Sequence, residues 1–317
     1  MIYTLTVNPA IDYVISVEDF CEGVINRTST ENVYAGGKGI NVSVVLSNLG
    51  VFNTPIVLLA GSTGEMYEHM LNKADITADM IRAQNGLTRI NVKMHSYASN
   101  NEARGSETEI NGQGPRVGSI ELESIYNRVA RLSCGDILVL SGSVPKIDIY
   151  GYDSNCLYAD ICSKANERGV DVVVDTTGKQ LMNALQYEPL LIKPNIHELG
   201  ELFGASLTSE NEIIDCAKRL QRMGARNVLI SMADKGAILL DQTGAVNMCS
   251  APYGRVVNSV GAGDTMVAAF LASYSRSVPD TRDYSSILRY AVAAGSATAF
   301  GAGLATKEDI DKYYHRD

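Results

Sequence analysis

The sequence predicts an α/β fold, with a mainly parallel sheet covered by helices on both faces and a small second β-sheet beside it. Short β-branched runs recur along the chain, and stretches of helical period lie between most of them, the pattern of βαβ units. Two stretches, 13–34 and 87–111, break that rhythm with polar–apolar alternation. No internal repeat, low-complexity tract or linker is visible, so the 317 residues are expected to form a single domain with these two stretches as insertions.

The first apolar run, 2–7, ends in Asn8-Pro9, a turn signal, and reads as a buried strand. Residues 39–49 carry Ile40, Val44, Val45 and Leu49 near helical spacing and stop at Gly50, a residue suited to ending a helix. Strand-like runs follow at 55–60, 137–141, 170–175, 190–193 and 227–231, and helical patterns occupy 120–132, 155–168, 196–203 and 210–223. In 13–34 and 87–111, Thr, Val and Tyr are frequent and no helical period is present. Such alternation predicts strands with one wet face, outside the main sheet; the alternative is a pair of long solvated loops.

Acidic residues number 36 against 27 basic ones, a net charge of −9, with 45% hydrophobic and 20% charged residues. That composition folds around a core. Without a concentrated basic run it argues against a nucleic-acid partner, although a small anionic ligand needs only a few local cations. The start carries no basic and apolar leader pattern, and no apolar run approaches the roughly 20 residues of a membrane span. A soluble, cytoplasmic protein with no membrane partner is expected. The six cysteines lack any C-x-x-C pair and are expected to be reduced and mostly buried. His69, His95, His197 and His315 share no H-x-x-x-H spacing, which argues against zinc.

The most informative segment runs from Val257 to Thr265 and contains Gly261-Ala262-Gly263-Asp264 before an apolar helical run, 266–274. Glycines ahead of a helix leave backbone N–H groups uncovered, and the helix dipole adds partial positive charge, which together make an anion hole. Asp264 can cap this helix or receive a proton from a substrate hydroxyl. The dipole is expected to lower its pKa and make it a weak base. A second cluster, Gly36-Gly37-Lys38-Gly39-Ile40-Asn41, also precedes a helical run and matches neither a Walker A loop nor a dinucleotide fingerprint. Its small residues would let a polyhydroxylated ligand approach the backbone while Lys38 and Asn41 offer a cation and an amide; a flexible hairpin turn is the competing explanation. In Lys193-Pro194-Asn195-Ile196-His197-Glu198, Asn195 and Glu198 can hold a hydrated Mg²⁺, or they can form a helix capping box.

With these segments in order, the sequence resembles the ribokinase-like, or PfkB, family of carbohydrate kinases. The resemblance runs through nearly the whole chain: Asn8-Pro9-Ala10-Ile11-Asp12, the 36–41 cluster, Ser141-Gly142-Ser143-Val144-Pro145, Asn195 with Glu198, and 261–264. It implies a three-layer sandwich with a mainly parallel central sheet and a β-sheet lid built from 13–34 and 87–111. Thr88-Arg89-Ile90-Asn91-Val92-Lys93 and Thr108-Glu109-Ile110-Asn111 are similar to the members that act on fructose 1-phosphate. The implied activity is ATP-dependent phosphorylation of the C6 hydroxyl of fructose 1-phosphate, giving fructose 1,6-bisphosphate.

The resemblance also implies roles. Asp264 would take the hydroxyl proton, and the N–H groups of Gly261, Ala262 and Gly263 would hold charge on the transferring phosphoryl group. Asp12, Gly37, Asn41 and Ser141 would meet the sugar, with Arg89, Lys38, Arg27 and Lys93 supplying cations for its phosphate. Lys193, Asn195, Glu198, Ser231, Gly236 and Asn258 would meet the nucleotide, with Mg²⁺ organised through water by Asn195 and Glu198. Potassium is left open as a further cofactor, and a homodimer through the lid is expected, closing over the sugar. The stretch 291–299 keeps the small residues that family members place along the adenine pocket. One segment departs from the family pattern: Ser231-Met232-Ala233-Asp234-Lys235-Gly236 carries Ala where glycine is usual, a strained choice if that position needs φ > 0. Alternative readings are a kinase of tagatose 6-phosphate or fructose 6-phosphate, or a non-catalytic sugar-phosphate sensor; an NAD-dependent oxidoreductase lacks its fingerprint.

Overall fold

The computed structural model describes residues 1–98 and 106–314. Residues 99–105 of the second insertion, and His315, lie outside the described residues. The chain enters on β1 (Ile2–Thr6), passes through β2 (Ala10–Glu18) and β3 (Thr28–Gly36), and returns on α1 (Lys38–Asn48). It continues through β4 (Asn53–Ala60), α2 (Gly61–Lys73), β5 (Asp79–Ala83), β6 (Arg89–Tyr97), β7 (Ser106–Asn111), α3 (Ser119–Val129) and β8 (Ile137–Ser141). Next come α4 (Leu157–Asn166), β9 (Asp171–Asp175), α5 (Gly178–Ala184), β10 (Leu191–Ile192), α6 (Ile196–Phe203), α7 (Glu210–Arg222) and β11 (Val228–Ser231). The last elements are β12 (Ala237–Leu240), β13 (Val246–Cys249), α8 (Ala262–Arg276), α9 (Tyr284–Phe300) and α10 (Lys307–Tyr314).

Nine strands form one sheet in the order β13-β12-β11-β10-β9-β8-β1-β4-β5, parallel from β11 to β5, with β12 and β13 antiparallel at one edge. Alternate residues feed opposite faces. Leu138, Leu140, Val172 and Val174 pack with residues of α3, α4, α5 and α7, whereas Ile137, Val139 and Val173 pack with α1, α8, α9 and α10. That period of two, on strands apolar on both sides, is what a helix-covered parallel sheet requires. A smaller cluster, Ile11, Ile40, Val57, Leu59, Tyr67 and Leu71, seats α2 and ties β2 to the body. The expected three-layer sandwich is present.

The insertions form a separate four-stranded sheet in the order β3-β2-β6-β7, so the loop alternative does not hold. The expectation of one wet face needs correction. All of β7 and nearly all of β3 are exposed on both faces, because these outer strands extend past the body that covers β2 and β6. The helices and strands α2, β5, α5, β12, β13 and α10 were not anticipated. The cysteines also differ from expectation: Cys162 and Cys216 are buried, but Cys21 and Cys134 are exposed, since both sit in polar connections. Among the described residues no helix is long and apolar enough to cross a membrane.

The parallel arrangement brings the carboxyl ends of β1, β8, β9, β10 and β11 to one edge of the sheet. Asn8, Ser141, Asp175, Lys193 and Ser231 therefore lie at or just beyond that edge, where open α/β sheets bind ligands.

Candidate active site

Helix α8 starts at Gly261, whose φ of 81° is the left-handed conformation that glycine tolerates best. A side chain there would also run into Leu304. The turn is pinned from behind: Thr265 Oγ1 donates to the Gly261 carbonyl at 2.9 Å and lies 2.9 Å from Thr298 Oγ1, which accepts from Ala305 N–H. The Ala262 N–H donates to the Ser259 carbonyl at 3.2 Å. The expectation of three bare amides is thus corrected to two: Gly261 and Gly263 have no protein partner for their N–H groups among the described residues.

Asp264 follows in the first turn, 6% exposed, and does not cap its helix. It accepts instead from the side-chain amide of Asn41 at 2.7 Å. The expected dipole-lowered pKa is overturned. Burial, and after it the negative charge of Asp175, push the Asp264 carboxyl up to about 7 against the opposing pull of Lys38, the Asn41 hydrogen bond and Lys193. Desolvation outweighs the dipole because the group is almost sealed from water.

The second glycine cluster is no flexible hairpin. Gly36 ends β3, Gly37 precedes α1 at φ 143°, and a Cβ at Gly36 would lie 2.5 Å from an Asp12 carboxylate oxygen. Small residues here let α1 and the Asp12 carboxylate approach closely. Asp12 is held on both oxygens, by Asn91 Nδ2 at 3.0 Å and Lys93 Nζ at 3.1 Å. Lys93 therefore acts on Asp12, and its charge is already paired. Arg89 donates from Nε to the Asn8 carbonyl at 3.2 Å, which brings its guanidinium beside the first strand's end. Arg27 stands apart. It lies beyond the Val17–Thr28 pairing at the far end of the β2–β3 hairpin, roughly 17 Å along the strand from Asp12.

At the start of α6, both readings of Asn195 and Glu198 meet in one geometry. Asn195 Oδ1 accepts from the His197 and Glu198 amides, and Glu198 Oε2 accepts from Asn195 N–H, a complete capping box. Glu198 also lines a cleft of about 410 Å³ with Lys38, Ser143, Thr176 and Lys179. Asp264 is not among its lining residues; the cleft follows the ends of β8 and β9 on the other side of Lys38. Ser141 is buried at the end of β8 with its hydroxyl unpartnered. Ser231 joins the group by pairing with Asn195, its N–H donating to the Pro194 carbonyl at 3.2 Å. Ala233 takes φ 52°, the strain that its departure from glycine predicted, and Gly236 follows at φ 91°. Asn258 caps its own loop, accepting from Val260 N–H at 3.0 Å.

Sequence reasoning missed Asp175. This 1% exposed carboxylate has Oδ1 3.4 Å from Lys193 Nζ and 3.6 Å from Lys38 Nζ; burial pushes its pKa up, and the two ammoniums together overcome that and lower it. The signal was an acidic residue directly after Val172-Val173-Val174, where an apolar strand delivers it to the ligand-binding edge.

A model of the pfkB family of carbohydrate kinases matches residues 4–310. The 1-phosphofructokinase of Bacillus subtilis is 40% identical over 312 residues, covering 98% of this chain and 97% of that protein. The D-tagatose-1-phosphate kinase of Bacillus licheniformis is 34% identical over 315 residues, 98% and 97% of the two chains. Phosphofructokinase-2 from Escherichia coli, crystallised in complex with potassium, superposes with a TM-score of 0.87 at 28% identity over 99% of this chain and 97% of that one.

Proposed function

The chain belongs to the pfkB family of carbohydrate kinases, and we propose that it transfers the γ-phosphoryl group of ATP to the C6 hydroxyl of fructose 1-phosphate, giving fructose 1,6-bisphosphate and ADP. The observation that carries this reading is the corner at α8: a carboxylate held by Asn41 beneath two unclaimed amides. Phosphoryl transfer asks for this combination of an aligned acceptor, a cradle for equatorial charge and a proton acceptor. The 1-phosphate acceptor is supported by the Bacillus subtilis relative.

In this reading the sugar lies against Asp12, Gly37, Asn41 and Ser141. Arg89 and Lys38 supply its phosphate with cations, and Asp12 is oriented by Lys93 and Asn91. The C6 oxygen attacks the γ-phosphorus as the bond to the β–γ bridging oxygen breaks, and Asp264 takes the hydroxyl proton. The amides of Gly261 and Gly263, with Lys193 beside them, stabilise charge on the transferring group. Asn258, Ser231 and Gly236 border the nucleotide. Arg27 acts at the lid rather than at this chain's own sugar site.

Mg²⁺ favours oxygen donors and keeps much of its water. One Glu198 oxygen is used in the capping box and the carboxylate still lines the cleft, so the donor set fits a hydrated ion held through water by Glu198 and Asn195. When bound, that ion would neutralise charge on the nucleotide phosphates. For potassium the support is the Escherichia coli relative.

Val24, Ile25, Val33, Tyr34, Ile90 and Ile110 are exposed on the lid. Exposed apolar residues on a sheet with two open edges are a surface for a second copy, and we place the homodimer there. We place the enzyme in the cytoplasm, where ATP is at hand.

The Bacillus licheniformis relative favours one second reading, a tagatose 1-phosphate acceptor. Purified protein with ATP-Mg²⁺ is assayed against fructose 1-phosphate, tagatose 1-phosphate, fructose 6-phosphate and tagatose 6-phosphate. The highest kcat/KM is expected for fructose 1-phosphate, and a preference for either 6-phosphate overturns the assignment.

A further inference from the structure

Asp175 has no role of its own in the proposed reaction, yet it pairs with two residues that do. Its Oδ1 faces Lys193 Nζ at 3.4 Å and Lys38 Nζ at 3.6 Å, and its Oδ2 is buried without a hydrogen-bond partner. At those separations the carboxylate attracts both ammoniums electrostatically. Lys193 Nζ lies 3.0 Å from the place a Cβ would occupy on Gly263, which sets it against the open amides of α8. Lys38 opens α1, one turn before Asn41, the residue that holds Asp264. A buried carboxylate is tolerated only when paired. Here one carboxylate serves two cations.

We infer that Asp175 is a positioning residue for phosphoryl transfer, holding the ammoniums of Lys38 and Lys193 on the two sides of the Gly261–Asp264 corner without contacting substrate. This rests on the reading of the site given above. A cation displaced by about 1 Å costs up to about a hundredfold in rate, so the effect should fall on kcat. A second consequence is electrostatic. Asp264 is faced by Lys38 and Asn41 of α1, by Asp175 at the end of β9 and by Lys193 after β10, and of these only Asp175 raises its pKa. Removing the Asp175 charge therefore moves the acid limb of the kcat/KM profile to lower pH.

The test compares Asp175→Asn, Lys193→Met, the double variant and Asp264→Asn. Asp175→Asn is expected to lower kcat at least about tenfold and to shift the acid limb downward. In the Lys193→Met background its further effect is expected to be much smaller, because it acts through that ammonium. Should Asp175→Asn fail to fold, Asp175→Glu keeps the charge and displaces it; a kcat loss that shrinks in the Lys193→Met background upholds the inference, and full kcat overturns it. Wild-type kcat in Asp175→Asn with turnover lost in Asp264→Asn overturns the positioning role alone. Losses that simply multiply in the double variant also overturn it. Turnover retained in both single Asp variants brings down the reading of the site.

Discussion

The side-chain amide of Asn41 donates to Asp264 Oδ2 at 2.7 Å, joining the first turns of two helices that lie 223 residues apart in the chain. Both helices begin after a glycine at positive φ, Gly37 for α1 and Gly261 for α8. The hydrogen bond aligns the Asp264 carboxylate and leaves its other oxygen for a ligand. It couples the sugar side of the site to the phosphoryl side, because Asn41 belongs to the segment proposed to bind the sugar.

Activity is expected to depend on Asp264 being ionised. With its carboxyl raised to about 7, kcat/KM should rise with pH through roughly neutral pH and level off above it. Asn41→Ala removes a hydrogen bond that favours the charged form, so the acid limb should move to higher pH and the neutral-pH rate should fall. A pH–rate series on the two proteins checks the direction.

The same carboxyl carries a stability cost. Its folded-state pKa is raised above the usual 3.8, so the stability linked to its proton is complete below about 4 and is lost as pH rises through about 7. Asp264→Asn carries no charge to bury and should therefore be more stable than the wild type at pH 8, by on the order of 4 kcal/mol at most. The difference should narrow as the pH falls toward 4. Urea unfolding at several pH values reads both trends.

Ala233 sits at φ 52° in the loop that follows β11. Ala233→Gly relieves that conformation and is expected to stabilise the protein by about 0.5–1 kcal/mol, the gain being limited by the freedom glycine adds to the unfolded chain. With the loop relaxed, KM for ATP should fall as well. Thermal melts and ATP titrations of the rate test the two parts separately.

Ile25, 88% exposed at the lid, and Ile110 on β7 have no cover within their own chain among the described residues. Ile25→Asp and Ile110→Asp should leave the melting temperature of the body nearly unchanged while converting a dimer to a chain of 34.1 kDa. Light scattering on the eluting protein reads the mass.

The parts of this molecule that were legible in its sequence are those where one local rule dominates. The buried strands at 137–141 and 170–175 are marked by the apolar runs 137–140 and 172–174, and α6 announces itself through Asn195 and Glu198. Helix α2 was not legible because Gly61 and Gly64 dilute its apolar stripe, and β12 and β13 are too short to separate from the loops around them. Within the site, Gly261, Gly263 and Asp264 were legible from spacing before a helix. The raised pKa of Asp264 was not, since its causes are burial under the fold and a charge on a strand distant in the chain. Lys93 looked like a free cation for the same reason: its partner, Asp12, reaches it only through the pairing of β2 with β6.

Phosphorus NMR of a reaction mixture containing enzyme, ATP-Mg²⁺ and fructose 1-phosphate, run beside the Asp264→Asn variant, addresses the central claim most directly. The account predicts a new phosphate monoester on C6 appearing in step with ADP, and its near-complete loss in the variant with fructose 1-phosphate binding retained. A wild-type mixture that yields only inorganic phosphate and ADP, or a variant that forms the bisphosphate at the wild-type rate, contradicts it.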